Sequence, residues 1–533
     1  MRRPLWSTLR RLLQVLFWCA FIVLIFSLRF PVESTAQFTF IPRMSAYLGI
    51  TASLSAGKVL AVFLPALILL ALTLLLGRFF CGYICPMGNT IDGTDPLFRR
   101  KKRTIVTGEK RRSMKGIKYA VLLVSVLCAA GGIQFAGLID PLSVAMRSYG
   151  TALYPYTDSL ARTVFGGLYH VPGISSISEP AFEFLKEHVL DLKGVTFRGH
   201  HWIFLIFFIM IGVSFFARRF WCRYLCPFGA VQGLLAGAAL FRRSVDAEKC
   251  VNCGACVRNC RMNAIGDDGI VTAESECIKC FECLSSCDYN AISFSFTVSH
   301  LFSGRYKPAT PKSPAPPRGI LTRRGFMTSI LGAAILVPLF RLKADAKGAS
   351  TYLIRPPGAL PEEDFTGYCI RCGECMKVCP TNGLHPVLTE AGLEGIFTPR
   401  LIPRIGWCEK NCNLCSSICP TGALKQVAIP DKETLIIGTA HIDRSLCIPW
   451  ARGKECIVCE EMCPTATKSI ILREETVVTA KGERNRVKLP YILEDICIGC
   501  GICENKCPVP GNAAIRVRAP GRSGNSMESS NGY

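Results

Sequence analysis

Cysteine carries most of the chemistry in this 533-residue chain: there are 30, and most fall into groups of four. Cys250, Cys253, Cys256 and Cys260 precede Cys277, Cys280, Cys283 and Cys287. Both quartets have the bacterial ferredoxin spacing, in which three close thiolates grip a cubane and the fourth ligates the other cluster. Cys287 is therefore assigned to the first trio and Cys260 to the second. Arg261 and Asp288 stand where proline usually follows the fourth cysteine. Near the C-terminus, Cys369, Cys372, Cys375 and Cys379 repeat the spacing, as do Cys497, Cys500, Cys503 and Cys507. Cys408, Cys412, Cys415 and Cys419 carry one extra residue in the first gap, and Cys447 precedes Cys456, Cys459 and Cys463 by a longer insertion. Six [4Fe–4S] clusters are expected. Zinc ribbons need pairs rather than full quartets, and a membrane protein of this size has no need of disulfide staples. Among the last four quartets, the expected exchange is outer with outer and inner with inner. Cys507 would complete the Cys369 trio, and Cys463 the Cys408 trio.

A second pattern is a repeat. Arg78-Phe79-Phe80-Cys81-Gly82-Tyr83-Ile84-Cys85-Pro86-Met87-Gly88 returns as Arg219-Phe220-Trp221-Cys222-Arg223-Tyr224-Leu225-Cys226-Pro227-Phe228-Gly229. Duplication of a two-span unit would place both pairs at one depth on one side of a bilayer. Cys81, Cys85, Cys222 and Cys226 then either hold iron or another soft metal, or form structural turns with free thiols. Cys19 and Cys128 sit in apolar runs and read as packing residues. His200 and His201 could meet haem or quinone, or be plain interfacial residues; no Cys-x-x-Cys-His motif occurs, so c-type haem is not expected.

The elements that must position these thiols are read from hydropathy and charge. Half the residues are hydrophobic, which argues for membrane segments. The formal charge of +23 is gathered beside apolar runs, as in Arg99-Arg100-Lys101-Lys102-Arg103, so it reads as positive-inside topology rather than nucleic-acid binding. Four spans are expected at 12–30, 59–77, 119–138 and 202–217, with both ends inside. The domain plan is a four-span α-helical bundle over 1–240 and a cytoplasmic two-cluster α+β ferredoxin over 241–296. A proline-rich linker occupies 297–320. At 321–346, Thr322-Arg323-Arg324-Gly325-Phe326-Met327 looks like an internal twin-arginine export signal. Its apolar run of about 15 residues would reach only ~22 Å as a helix, short of the ~30 Å hydrocarbon core. Ala344-Asp345-Ala346 offers a small-residue cleavage pattern. Residues 347–520 form the exported four-cluster ferredoxin, with short β-like stretches at 434–442 and 487–492, and 521–533 a flexible tail. His385 and His441 read as ordinary surface or loop residues, and no nucleophile–base pair or nucleotide loop is visible.

With these pieces in place, residues 1 to about 296 resemble the membrane component of the quinol dehydrogenase serving periplasmic nitrate reductase, the NapH-type proteins. The resemblance rests on the spans, the Cys81-Cys85-Pro86 and Cys222-Cys226-Pro227 motifs and the ferredoxin after them. Residues from about 318 onward resemble its partner, the NapG-type exported ferredoxin. The paired motifs belong to a broader family that includes nitrous-oxide regulators, methylamine-utilisation proteins and oxidase-assembly factors. The resemblance implies oxidation of quinol, with electrons leaving through the exported clusters to a periplasmic cytochrome or reductase. It also implies a bacterial inner-membrane location, with 241–320 cytoplasmic and 347–533 outside. The competing reading is a redox maturation factor that reduces a metal or cofactor while another enzyme is assembled. A sensor has little use for six clusters.

Overall fold

The computed structural model describes residues 3–32, 34–98, 108–170, 175–191, 194–297, 322–341, 349–478, 482 and 484–520. The proline-rich stretch at 303–317, the Arg99–Arg103 basic run, Ala344-Asp345-Ala346 and the tail lie outside them. The chain divides into two compact units, each built from three separate segments.

The first unit comprises Met1–Ile25, Thr39–Tyr149 and Trp202–Leu339. Two helices among the described residues are long and apolar enough to cross a membrane, Trp6–Phe26 and Arg323–Arg341. The second and fourth expected spans contain shorter apolar helices. Pro65–Leu76 begins with proline, which suits a first helical position but cannot continue a preceding turn, and stops at Gly77, whose φ of +74° few side chains could adopt. His200–Gly212 gives way to a tighter turn at Val213–Phe215. Gly108–Ala130 is 23 residues long, but its first turns are basic. The twin-arginine stretch departs from expectation in the other direction. Its helix starts at Arg323 itself and runs 19 residues to Arg341, through Pro338, so it reaches about 28 Å rather than ~22 Å. A two-stranded antiparallel ribbon, Phe241–Val245 against Ile292–Phe296, closes the inner ferredoxin around its loops.

The second unit comprises Phe26–Phe38, Gly150–His201 and Phe340–Tyr533. Three short antiparallel pairs frame its C-terminal part: Leu384–Pro386 with Pro399–Leu401, Thr439–Ile442 with Ile515–Arg518, and the hairpin Ile470–Val478 with Arg484–Ile492. The expected β-like stretches thus appear as strands, the first shortened and the second lengthened. Helices Tyr154–Tyr169 and Ser175–His188 belong to the same unit. One apolar core runs through it, joining Tyr154 and Phe197 to Met376, Leu384, Leu401, Ile470 and Val517. Segments that hydropathy places outside the membrane therefore share a core with residues 340–533.

Candidate functional site

Helices of four or five residues follow the second cysteine of the quartets, such as Ala255–Asn259, Glu374–Lys377 and Ile502–Lys506. Each of these three starts after a glycine in the left-handed region: Gly254 at φ +68°, Gly373 at +87° and Gly501 at +82°. That turn wraps the chain so that closely spaced cysteines face one space. The result is a set of cysteine-lined cavities. Cys250, Cys253 and Cys256 line one with Cys287. The second inner trio gathers with Cys260, which lies within electrostatic reach of Cys280 and Cys283. Both inner groupings follow the spacing rule.

The second unit corrects the expected exchange. Cys369, Cys372 and Cys375 share a cavity with Cys419, and Cys408, Cys412 and Cys415 share one with Cys379. Cys447, Cys456 and Cys459 are closed by Cys507. Cys463 lies within electrostatic reach of Cys500, beside the remaining trio. Consecutive quartets exchange their fourth cysteines, not outer with outer. The physical reason is local. Each fourth cysteine ends a one-turn helix that packs on the helix of the neighbouring quartet, as Glu374–Lys377 does on Leu414–Ser417 and Val458–Glu461 on Ile502–Lys506. The two exchanged pairs are then joined by a backbone hydrogen bond, Cys408 N–H to the Cys500 carbonyl at 2.8 Å. Four cysteine sites follow one another in a row.

Electrostatics at these sites favour a bound cationic group. Burial pushes the thiols of Cys277 and Cys500 up to about 12, so they become thiolates only when positive charge compensates them. Lys432 is buried between Cys408 and Cys412, its ammonium donating to the Glu409 and Cys412 carbonyls. Among the described residues, no three Cys, His, Asp or Glu side chains close on a single ion.

The repeated Cys-x-x-x-Cys-Pro turns lie against the inner ferredoxin. Cys81 packs with Met262, Ala264 and Ile278 in a cluster bordered by Cys222, Cys260, Cys277 and Cys280. A Cβ on Gly82 would sit 2.4 Å from the Ile278 carbonyl, so the first turn needs glycine there. The second turn has Arg223 instead, whose Nε donates to the Arg261 carbonyl at 2.8 Å. Arg261, the departure from proline, bonds Asp92 at 3.1 Å and Glu282 at 2.9 Å. Burial alone would raise the Asp92 carboxyl; Arg219, Arg261 and Arg10 hold it well below the usual carboxylate range.

Cys19 is exposed and Cys128 buried, and neither joins a cysteine site. His201 Nδ1 pairs with Tyr156 Oη at 2.8 Å. His385 is not a surface residue: it is fully buried in strand Leu384–Pro386, accepting the Arg198 N–H at Nδ1 (3.1 Å) and meeting the Phe197 ring edge-on at 5.9 Å. Its partners lie almost two hundred residues away, so no local signal marked it.

Comparisons with known proteins agree with this chemistry. One family model described as a 4Fe-4S binding domain matches residues 59–104 and 200–247, and a second of the same description matches 243–266 and 365–385. The methylamine utilization ferredoxin-type protein MauM of Methylorubrum extorquens is 37% identical over 220 residues, covering 39% of this chain and 91% of that protein. The ferredoxin-type protein NapG of Escherichia coli is 33% identical over 201 residues, 37% of this chain and 84% of NapG. The putative electron transport protein YccM of Escherichia coli is 24% identical over 251 residues, 43% of this chain and 57% of YccM. No solved structure matches. The chain belongs to the family of ferredoxin-type iron–sulfur proteins that includes MauM and NapG.

Proposed function

We propose that this protein conducts electrons from the membrane quinol pool, through six [4Fe–4S] clusters, to a cytochrome or reductase outside the bacterial inner membrane. The observation that carries the reading is the row of four cysteine sites in the second unit, joined at Cys408 and Cys500. A row of contiguous sites suits conduction; a lone redox step needs one. In this reading the ligands are Cys250, Cys253, Cys256 and Cys287; Cys277, Cys280, Cys283 and Cys260; Cys369, Cys372, Cys375 and Cys419; Cys408, Cys412, Cys415 and Cys379; Cys447, Cys456, Cys459 and Cys507; and Cys497, Cys500, Cys503 and Cys463. A bound cluster supplies one-electron chemistry at a potential set by charge, burial and hydrogen bonds. The protein holds and tunes it: Lys432 favours added electrons at the Cys408 site, and apolar walls keep water away.

The membrane arrangement is part of the proposal: four spans at 12–30, 59–77, 119–138 and 202–217, with Arg323–Arg341 as export signal or fifth span. Segments Phe26–Phe38 and Gly150–His201, which that topology puts outside, share a unit with residues 340–533. Arg218 and Arg219, which it puts inside, belong to the unit that contains residues 241–296. The NapH-type resemblance of the first half supports quinol as donor.

The test mixes anaerobically purified, oxidised protein with a quinol analogue and follows the visible iron–sulfur absorption. Rapid bleaching is expected. Absorption unchanged by quinol, with reduced protein reoxidised only by oxidised copper or iron salts, would overturn the conduit reading in favour of maturation.

A further inference from the structure

The four cysteine sites of the second unit share a local design and differ at one point. Three of the quartets end in Cys-Pro-Thr: Cys379-Pro380-Thr381, Cys419-Pro420-Thr421 and Cys463-Pro464-Thr465. The last ends in Cys507-Pro508-Val509, and Val509 packs in an apolar cluster with Cys447. A cation on a ligand's backbone is common to all four sites. Arg371 donates to the Cys369 carbonyl at 3.2 Å and Lys432 to that of Cys412. Lys468 donates to the Cys463 carbonyl at 2.9 Å and Arg404 to that of Cys507 at 3.0 Å. The hydroxyls are not shared in this way.

Thr381 Oγ1 lies 3.5 Å from the Cys379 sulfur, but its hydrogen goes to the Trp407 carbonyl. Thr421 Oγ1 is farther from its cysteine, 3.8 Å from Cys419 Sγ. At Cys463 two hydroxyls close in: Thr465 Oγ1 and Ser469 Oγ each lie 3.1 Å from the sulfur. Ser469 is buried directly before the strand Ile470–Val478, and its carbonyl accepts the Leu493 N–H at 2.7 Å. The Ser469 N–H donates to Thr465 Oγ1 at 3.1 Å, which leaves the threonine's own hydrogen for the sulfur. A cysteine that ligates a cluster has lost its proton, so both hydroxyls donate to it. The Ala440 N–H adds a third donor at the same site, 3.4 Å from Cys497 Sγ. Hydrogen bonds to sulfur favour the state that carries more negative charge, which is the reduced one.

We propose that the Thr465 and Ser469 hydroxyls raise the reduction potential of the site formed by Cys497, Cys500, Cys503 and Cys463, so that the Cys447 site, with Val509 in place of threonine, lies uphill of it. Thr465 and Ser469 are positioning residues that act through the Cys463 sulfur. The step they bias is the gain of one electron, with no bond formed or broken and no proton moved. An electron that reaches this exchanged pair is then held one site in from the Cys447 end of the row. The inference rests on the iron–sulfur reading of the quartets but not on quinol as donor.

The test titrates the anaerobically purified full-length protein with dithionite in the presence of redox mediators and follows each component by electron paramagnetic resonance. The component lost in Cys507→Ser marks the Cys447 site. In Thr465→Val/Ser469→Ala, one component is expected to move to lower potential while that of the Cys447 site stays in place. In the wild type, the component that moves should be reduced before the Cys447 one. Thr465→Ser, which keeps the hydroxyl, should retain the wild-type midpoints. Unchanged midpoints in the double variant, or a Cys447 component reduced first in the wild type, would overturn the inference. Iron and acid-labile sulfide counts show that the variants are loaded; if the double variant is not, Thr465→Val alone is scored in the same way. A wild type without iron and sulfide would remove the iron–sulfur reading itself, whereas unchanged midpoints in fully loaded proteins remove this inference alone.

Discussion

His385 is held neutral inside the second unit, because burial, reinforced by the charges of Arg400 and Arg198, pushes its imidazole down to about 4. Its ordinary value near 6.5 applies in the unfolded chain. The unfolded state therefore takes up a proton as pH falls through 6.5 while the folded state does not. Stability from this group is complete above about pH 6.5 and declines toward pH 4, by up to about 3 kcal/mol. Denaturant midpoints measured at pH 7.5 and 5 should fall with acid in the wild type and fall less in His385→Gln; equal slopes would remove the histidine from the account. The cysteine exchange is tested at the same scale. Cys419→Ser should extinguish the signal of the Cys369 site and spare that of the Cys447 site, while Cys507→Ser does the reverse. The quartets themselves could be picked out from spacing, because three closely spaced cysteines and a fourth are the ferredoxin pattern. The exchange of fourth ligands could not, since it depends on which one-turn helices pack together. Nor could the role of Arg261, which registered only as a missing proline until Asp92, far away in sequence, appeared beside it.

At the scale of elements, hydropathy marked the apolar runs but not their ends. Proline at the start of Pro65–Leu76 and the left-handed Gly77 after it define a helix shorter than its apolar run. The Arg323–Arg341 helix is longer than its run because Arg323, Arg324 and Gly325 at one end and Arg341 at the other are helical too. The segment Gly150–His201, most of which falls between the third and fourth expected spans, packs as a working element. Asp191 accepts from the buried Lys377 ammonium at 2.8 Å, and that ammonium sits 3.4 Å from the centre of the Tyr154 ring. Asn382 Nδ2 donates to the Thr196 carbonyl at 2.7 Å nearby. Burial lowers Lys377, which Asp191 counteracts. Asp191→Ala would leave a buried ammonium without its counter-ion, at a cost of about 3 kcal/mol. Differential scanning calorimetry should show the lowered transition. The Asp191→Leu/Lys377→Met double variant should recover much of the loss, and no recovery would mean that the ion pair is not the origin of the effect.

For the whole molecule, the decisive fact is that the second unit is not made from the C-terminal half alone. Its core joins Tyr154 and Phe197 to Met376, Leu384 and Val517, and its N-terminal segments remain covalently continuous with the first unit on both sides. MauM of Methylorubrum extorquens, matched over 91% of its length, corresponds to only 39% of this chain, so the remainder is material which that relative does not share. Two sequences joined merely by a linker would separate once the linker was cut. Here, cutting between residues 341 and 349 would sever only one of the strands of chain that connect the units, and the apolar core of the second unit would still bind its C-terminal part. A protease site placed at 342–348 and cleaved in the purified, detergent-solubilised protein should therefore leave the C-terminal fragment bound to the rest through size-exclusion chromatography at physiological salt. Because the contact combines apolar burial with the Lys377–Asp191 pair, the cut Asp191→Ala protein should release that fragment at lower denaturant than the cut wild type. Free elution of the fragment from the cut wild type would show instead that the linker alone holds it, and that Gly150–His201 contributes nothing to its retention.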